Sequence, residues 1–206
     1  MRKRPTSTAE LLAKLAQDPA FQARATKRDD ELSGNLAAQR RAEAPLVSAL
    51  SEVGIQVESA WDLVNSSSPY PAAVPVLLEH LQRAYPDRVR EGIARSLAVR
   101  ESREYWLQLL SLFRGEPNDT STSGSVKFAI GLALGAAATR DVLDDVLELL
   151  RNKRHGSARL AFIRTLMRFR DPRRDSLLAE LASDSDLHLE VAAAMKRVAK
   201  RRRPAG

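Results

Sequence analysis

The sequence predicts an all-α protein, with about four helix–turn–helix units in series behind a helical N-terminal cap. Three observations predict it. Ala, Leu and Arg, which lead the helix propensity ranking, dominate the 206 residues, and there are only 10 prolines and 9 glycines. Val, Ile, Tyr and Thr rarely alternate with polar residues, so strands find little support. Apolar residues instead recur at helical spacing, in blocks that repeat along the chain.

The elements come in order along the chain. "STAELLAKLAQ" opens with Ser7 and Glu10 at capping-box spacing. Asp18-Pro19 reads as a stop and then a helix start. From Ala20 to Arg41 the chain is helical in propensity and rich in charge. This stretch either packs on the repeats or reaches a partner or another chain. Pro45 is expected to bend or restart the helix, and Gly54 to end it. "ESAWDLVN" reads as one more short helix, and "SSSPYP" as a linker. Residues 1–68 are therefore expected to form a cap or extension, 69–200 the repeats, and 201–206 a basic tail.

The repeat shows best in "YPDRVREGIARSLAVR". Val89 is apolar, Arg90 basic, Ile93 apolar, Ala94 small and Leu97 apolar. The pattern recurs as Val126, Lys127, Ile130, Gly131, Leu134, then as Ala158, Arg159, Phe162, Ile163, Leu166, and finally as Leu187, His188, Val191, Ala192, Met195. The starts lie 37, 32 and 29 residues apart. A first amphipathic stretch precedes each copy: Val74–Gln82, Tyr105–Phe113, Val142–Leu150 and Arg174–Ala182. Leu78 and Leu81, Leu110 and Phe113, Leu147 and Leu150, and Leu178 and Leu181 take matching places, three apart on one face. Neither helix of a unit can cover its own stripe, so consecutive units must stack to make a continuous core. A buried Leu or Ile contributes roughly 1.5–3 kcal/mol only when a neighbour excludes water from it. The small Ala/Gly position lets helices approach closely.

"PDRVREGIARSLAV" resembles the second helix of a HEAT repeat, of the short bacterial kind called lyase-type or HEAT-like. The resemblance covers about Pro69 to Lys200. Such units have Asp in the turn and Val-Arg opening the second helix, and Asp87, Val89 and Arg90 match in full. The second copy has Gly124 and Lys127 at the Asp and Arg positions, and the third has Gly156 and Arg159. The fourth has Ser185 between Asp184 and Asp186, with His188 after them. The resemblance implies a HEAT-like α-solenoid whose second helices line a concave side.

Composition bounds the class. Apolar content of 44% and charged content of 29% are those of an ordinary globular protein. A chain of this length buries roughly 70% of its unfolded surface. With no cysteine, disulfides, thiolate zinc sites and cysteine nucleophiles are excluded. The basic N-terminus lacks the apolar region of a secretory signal. The longest apolar run, Phe128 to Ala138, has 11 residues, against about 20 for a bilayer span. A soluble, cytoplasmic protein without a membrane partner is expected. The net charge is +7, and residues 140–206 hold most of the excess with 16 basic and 10 acidic groups. Such asymmetry fits either an acidic or nucleic-acid partner or a solvated helical tail.

The candidate sites are few. Asp87 and Arg90 could form a catalytic pair, but repetition of the basic position favours structure: Asp87 as a helix cap and Arg90 as a brace to the neighbouring turn. Trp61-Asp62-Leu63-Val64-Asn65 is similar to the Trp-Asp-x-Val-Asp stretch of HEAT-like DNA glycosylases that remove alkylated purines. Asn65 stands where that resemblance implies a catalytic Asp, and it lacks the charge to stabilise a sugar cation. Trp61 is therefore expected to be a buried anchor. His80, His155 and His188 lie in different units without metal-ligand spacing. Asp144 and Asp145 sit where they complement a helix dipole. No P-loop or dinucleotide motif occurs, and no cofactor is expected.

Two features point to a partner. The loop Arg114 to Ser125 is five residues longer than its neighbour, with Glu116, Asn118 and Asp119 as contact candidates. Arg164 and Arg168 share a helix face. With Arg159, Lys196 and Lys200 they would make one end of the concave side basic. The expected function is non-catalytic: the concave face holds a protein partner, and an acidic one fits. The alternative is nucleic-acid binding through the basic groove, with glycosylase ancestry as a variant. The family name alone adds an accessory lyase subunit acting on tetrapyrrole-bearing proteins.

Overall fold

The computed structural model describes residues 7–8, 16–118, 125–169 and 171–202, with 201 and 202 by backbone only. Every regular element among them is helical. We number the α-helices α1 (Pro19–Glu52), α2 (Ala60–Val64), α3 (Ala73–Leu81), α4 (Asp87–Ser96), α5 (Trp106–Gly115), α6 (Val126–Ala137), α7 (Leu143–Arg151), α8 (Leu160–Phe169), α9 (Arg174–Leu181) and α10 (His188–Arg202). Short 3₁₀ segments precede α5 (Arg100–Tyr105) and α8 (Lys153–Arg159). No helix among the described residues is long and apolar enough to cross a membrane.

Backbone contacts divide the chain into Met1–Ala42 and Glu43–Gly206. In the first unit the described helical residues are largely exposed, including Phe21, Leu32 and Leu36. Asp18 accepts a hydrogen bond from the Ala20 amide at 2.9 Å and so caps the start at Pro19. Glu10 of the expected capping box lies outside the described residues.

The second unit holds the core. The helix does not restart at Pro45: α1 runs through it to Glu52. Leu46 and Leu50, in the turns just after the proline, are fully buried, and their packing offsets the one backbone bond that proline removes. Gly54 then takes a left-handed conformation, φ 82°. The Ile55 amide reaches back to Leu50 O at 2.9 Å, which closes the helix end.

From Ala73 onward the chain forms four helix pairs. α3 packs on α4, α5 on α6, α7 on α8 and α9 on α10. The second helices also pack in series, α2 on α4, α4 on α6, α6 on α8 and α8 on α10. The paired apolar positions of the first helices, from Leu78 and Leu81 to Leu178 and Leu181, are all buried. So are Val89, Ile93 and Leu97 and their second- and third-copy counterparts. Close approach rests on small residues. A Cβ on Gly131 would lie 2.9 Å from Ala161 Cβ, and one on Gly135 would lie 2.8 Å from Thr165 Oγ1. A Cβ on Gly92 would lie 2.6 Å from Trp61 Nε1.

Candidate functional site

The repeated basic position is mostly spent on the fold. Arg159 is 1% exposed. Its guanidinium grips Asp184 with two bonds of 2.9 Å, reaches Asp186 at 3.1 Å, and donates to Gly156 O and Leu150 O. The hydrogen bonds from Arg159 hold the Asp184 carboxyl below its usual range, against the opposing effect of burial. Arg159 therefore cannot be a partner contact, because its donors are consumed tying one unit to the turn of the next. Arg90 does the same two units earlier, donating to Glu116 at 2.8 and 2.5 Å. Lys127 is buried and donates to Glu116 O at 2.7 Å; burial pushes its pKa down. Asp87 does not cap α4. Pro86 occupies the cap position without a side-chain bond, and Asp87 stands in the first turn, where its charge favours the helix dipole.

Trp61 is half-buried rather than buried. Its ring lies on the Gly92 backbone. The Arg88 guanidinium sits 3.8 Å from the ring centroid, and the indole N–H donates to Arg88 O at 3.3 Å. Asp62 closes a capping box with Ser59, accepting from the Glu58 and Ser59 amides at 2.9 and 3.0 Å. Asn65 is exposed, and its amide donates to Trp61 O. The carboxylate of fully buried Glu43 completes this corner by accepting from the Ala60 amide at 2.6 Å and from Ser59 Oγ at 2.9 Å. Nothing in the local sequence marks Glu43, because its partners lie sixteen and seventeen residues away.

The candidate contact loop is partly committed. Glu116 accepts from Arg90, and Asn118 donates to Arg154 O. Asp119 lies outside the described residues.

One groove carries two residues of the expected cationic face, Arg164 and Arg168. It has about 460 Å³ and is lined by Ala98, Leu132, Gly135, Ala136, Ala161, Arg164, Thr165 and Arg168. Arg168 is anchored through Nη2, which donates to Gly135 O at 3.0 Å and Ala138 O at 2.9 Å. These carbonyls lie at the C-terminal end of α6, where a cation is favoured. Burial and then the nearby Arg103 push its pKa down. Arg164 is exposed and has no ion-pair or hydrogen-bond partner among the described residues. The floor between the two arginines is apolar and small. Arg103 lies on a 3₁₀ segment outside the repeat pattern, so sequence spacing did not associate it with Arg168. Lys196 and Lys200 are exposed on α10 and do not line this groove.

The histidines are dispersed. His80 is buried and shares a 2.8 Å bond with the Tyr85 hydroxyl. His155 is buried against Phe113, ring centroids 4.9 Å apart, and neither of its ring nitrogens has a hydrogen-bond partner among the described residues. His188 is exposed, with Nδ1 3.1 Å from Ser185 O. Among the described residues no group of His, Asp or Glu is placed to hold a metal ion. Asp144 and Asp145 carry tertiary bonds, accepting from Arg173 at 2.7 Å and from Trp106 at 3.0 Å. Comparison with family models, curated proteins and solved structures finds no match.

Proposed function

We propose that residues 69–200 form a HEAT-like α-solenoid and that the protein is a non-catalytic binding module in the cytoplasm. Its second helices present a groove that holds an acidic segment of a protein partner. The observation that carries this reading is Arg164. It is an exposed guanidinium without a partner among the described residues, beside an anchored Arg168 and over a small apolar floor. Anchoring lowers the entropy lost when a carboxylate docks on Arg168. A guanidinium fork suits a carboxylate, and Leu132, Ala136 and Ala161 suit the apolar side of a peptide. Bases would need exposed aromatic rings to stack on, and the groove lining has none.

The test is affinity capture from the native host with wild type and Arg164→Glu. Because Arg164 has no described partner to lose, the variant is expected to keep its thermal midpoint. We expect a stoichiometric protein on the wild type that is lost from the variant and washed off at high salt. Binding to duplex or single-stranded DNA at low salt should be weak and equal for both. If no protein depends on Arg164, the reading fails. If DNA binds tightly and depends on Arg164 and salt, nucleic-acid binding replaces it. Alkylated DNA should yield no free base, and release would reopen the glycosylase resemblance around Asn65.

A further inference from the structure

The fourth unit presents a second surface, distinct from the groove. In the first three units, Leu97, Leu134 and Leu166 occupy the same repeat position, Leu97 just past the end of α4, and are fully buried. Met195 holds that position in α10 and is 40% exposed. Ala94, Gly131 and Ile163 share another buried position, and its fourth copy, Ala192, is exposed. A Cβ on Gly131 would meet Ala161 Cβ of the next unit at 2.9 Å, Phe113 of its own unit at 3.3 Å and Ala158 O of the next unit at 3.5 Å, so this position faces the seam with the next unit. So Ala192 holds the position at which the second unit receives the next helix, and Met195 lies about one turn further along α10. The other end of the series is closed by α2, with Trp61 against Gly92.

The open face is a groove of about 390 Å³ lined by Asp175, Leu178, Met195, Val198 and Ala199. Asp175 is paired with Arg174 at 2.8 Å. Lys196 and Lys200, next in sequence to Met195 and Ala199 and one helical turn apart, are exposed. Neither has an ion-pair partner among the described residues. A second copy would bring the same lysines to its own face, and like charges oppose that pairing.

We infer that this face takes an amphipathic helix of another protein, laid along α10 as a succeeding repeat helix would lie. An apolar stripe would fill the floor at Met195 and Val198, and acidic residues along one edge would meet Lys196 and Lys200. Helix-in-groove docking of this kind is read by anchors at i, i+3, i+4 and i+7.

Three synthetic helical peptides test this against the full chain by fluorescence anisotropy. One carries a leucine stripe flanked by glutamates, one the same stripe flanked by lysines, and one is a scramble of the first. The glutamate peptide should bind saturably and at least tenfold tighter than the other two. Met195→Glu should weaken it at least tenfold, and Lys196→Glu with Lys200→Glu should invert the preference toward the lysine peptide. All three positions are exposed, so circular dichroism should show unchanged folding. Arg164→Glu should leave peptide binding unchanged, which separates this face from the groove. Absence of saturable binding, equal affinity for the scramble, or dependence on Arg164 in place of Met195 would overturn the inference. So would a wild-type dimer in sedimentation that Met195→Glu dissolves, because the occupant would then be a second copy.

Discussion

Arg159 and Arg164 lie five residues apart in one stretch of chain and have opposite fates. Arg159 is sealed under the next turn with two carboxylates and two carbonyls, whereas Arg164 is exposed and unpaired among the described residues. Sequence gives both the same charge and the same helical context, so the distinction rests on which flank meets the next unit. Arg159→Ala would leave the buried Asp184 carboxylate without its counter-charge. A loss of about 3–5 kcal/mol in urea unfolding is expected. Arg159→Lys should recover only part of it, since one ammonium cannot reproduce the planar fork. An unchanged midpoint for either variant would refute this role.

At the scale of the element, boundaries depend on local chemistry and contacts on side-chain size. α3, α5, α7 and α9 start and stop within one or two residues of the bounds that apolar spacing predicts. Gly156 supplies the sharp turn ahead of α8, with φ 53° and ψ −141°, a conformation open to glycine. Gly131 serves packing instead. Alanine there would gain up to about 1 kcal/mol in helix propensity but would press its Cβ to 2.9 Å from Ala161 Cβ and 3.3 Å from the Phe113 ring. Overpacking of this kind costs about 1–3 kcal/mol. Gly131→Ala is therefore expected to lower the thermal midpoint. Gly34→Ala, with nothing within 4 Å of the added carbon, should leave it or raise it. A rise for Gly131→Ala would mean that α6 and α8 are not held at this distance.

At the scale of the molecule, buried histidines couple stability to pH. Burial depresses the pKa of His155 in the folded state, and the Lys127, Arg114 and Arg159 charges add to this against Glu148. His80 is depressed by burial as well. The unfolded chain binds these protons near the ordinary value of 6.5, and the folded chain does so only at lower pH. Stability is therefore full above pH 6.5 and falls as pH drops through the folded values, by at most about 1.4 kcal/mol per pH unit per histidine. Asp184, also depressed, adds a loss of the same sign below its ordinary 3.8. His155→Phe should flatten the upper part of the curve in urea unfolding between pH 7 and 5. An unchanged slope would mean that His155 does not bind a proton on unfolding in this range.

Apolar spacing along the chain is enough to place the helices, their pairing into four units and the apolar positions of the core. Those properties are periodic, and periodicity at three to four residues needs no knowledge of neighbours. Composition and spacing also indicate the basic C-terminal third and the exposed pair Arg164 and Arg168. Folding in three dimensions is what makes Arg159 a brace, leaves the α4 cap to Pro86 rather than Asp87, carries α1 through Pro45, and closes the α2 corner with Glu43. It also leaves Met195 uncovered where its three counterparts are sealed. For Arg159 and Glu43 the deciding partner lies twenty-five and seventeen residues away along the chain. One-dimensional spacing records which face a residue takes but not what lies against that face.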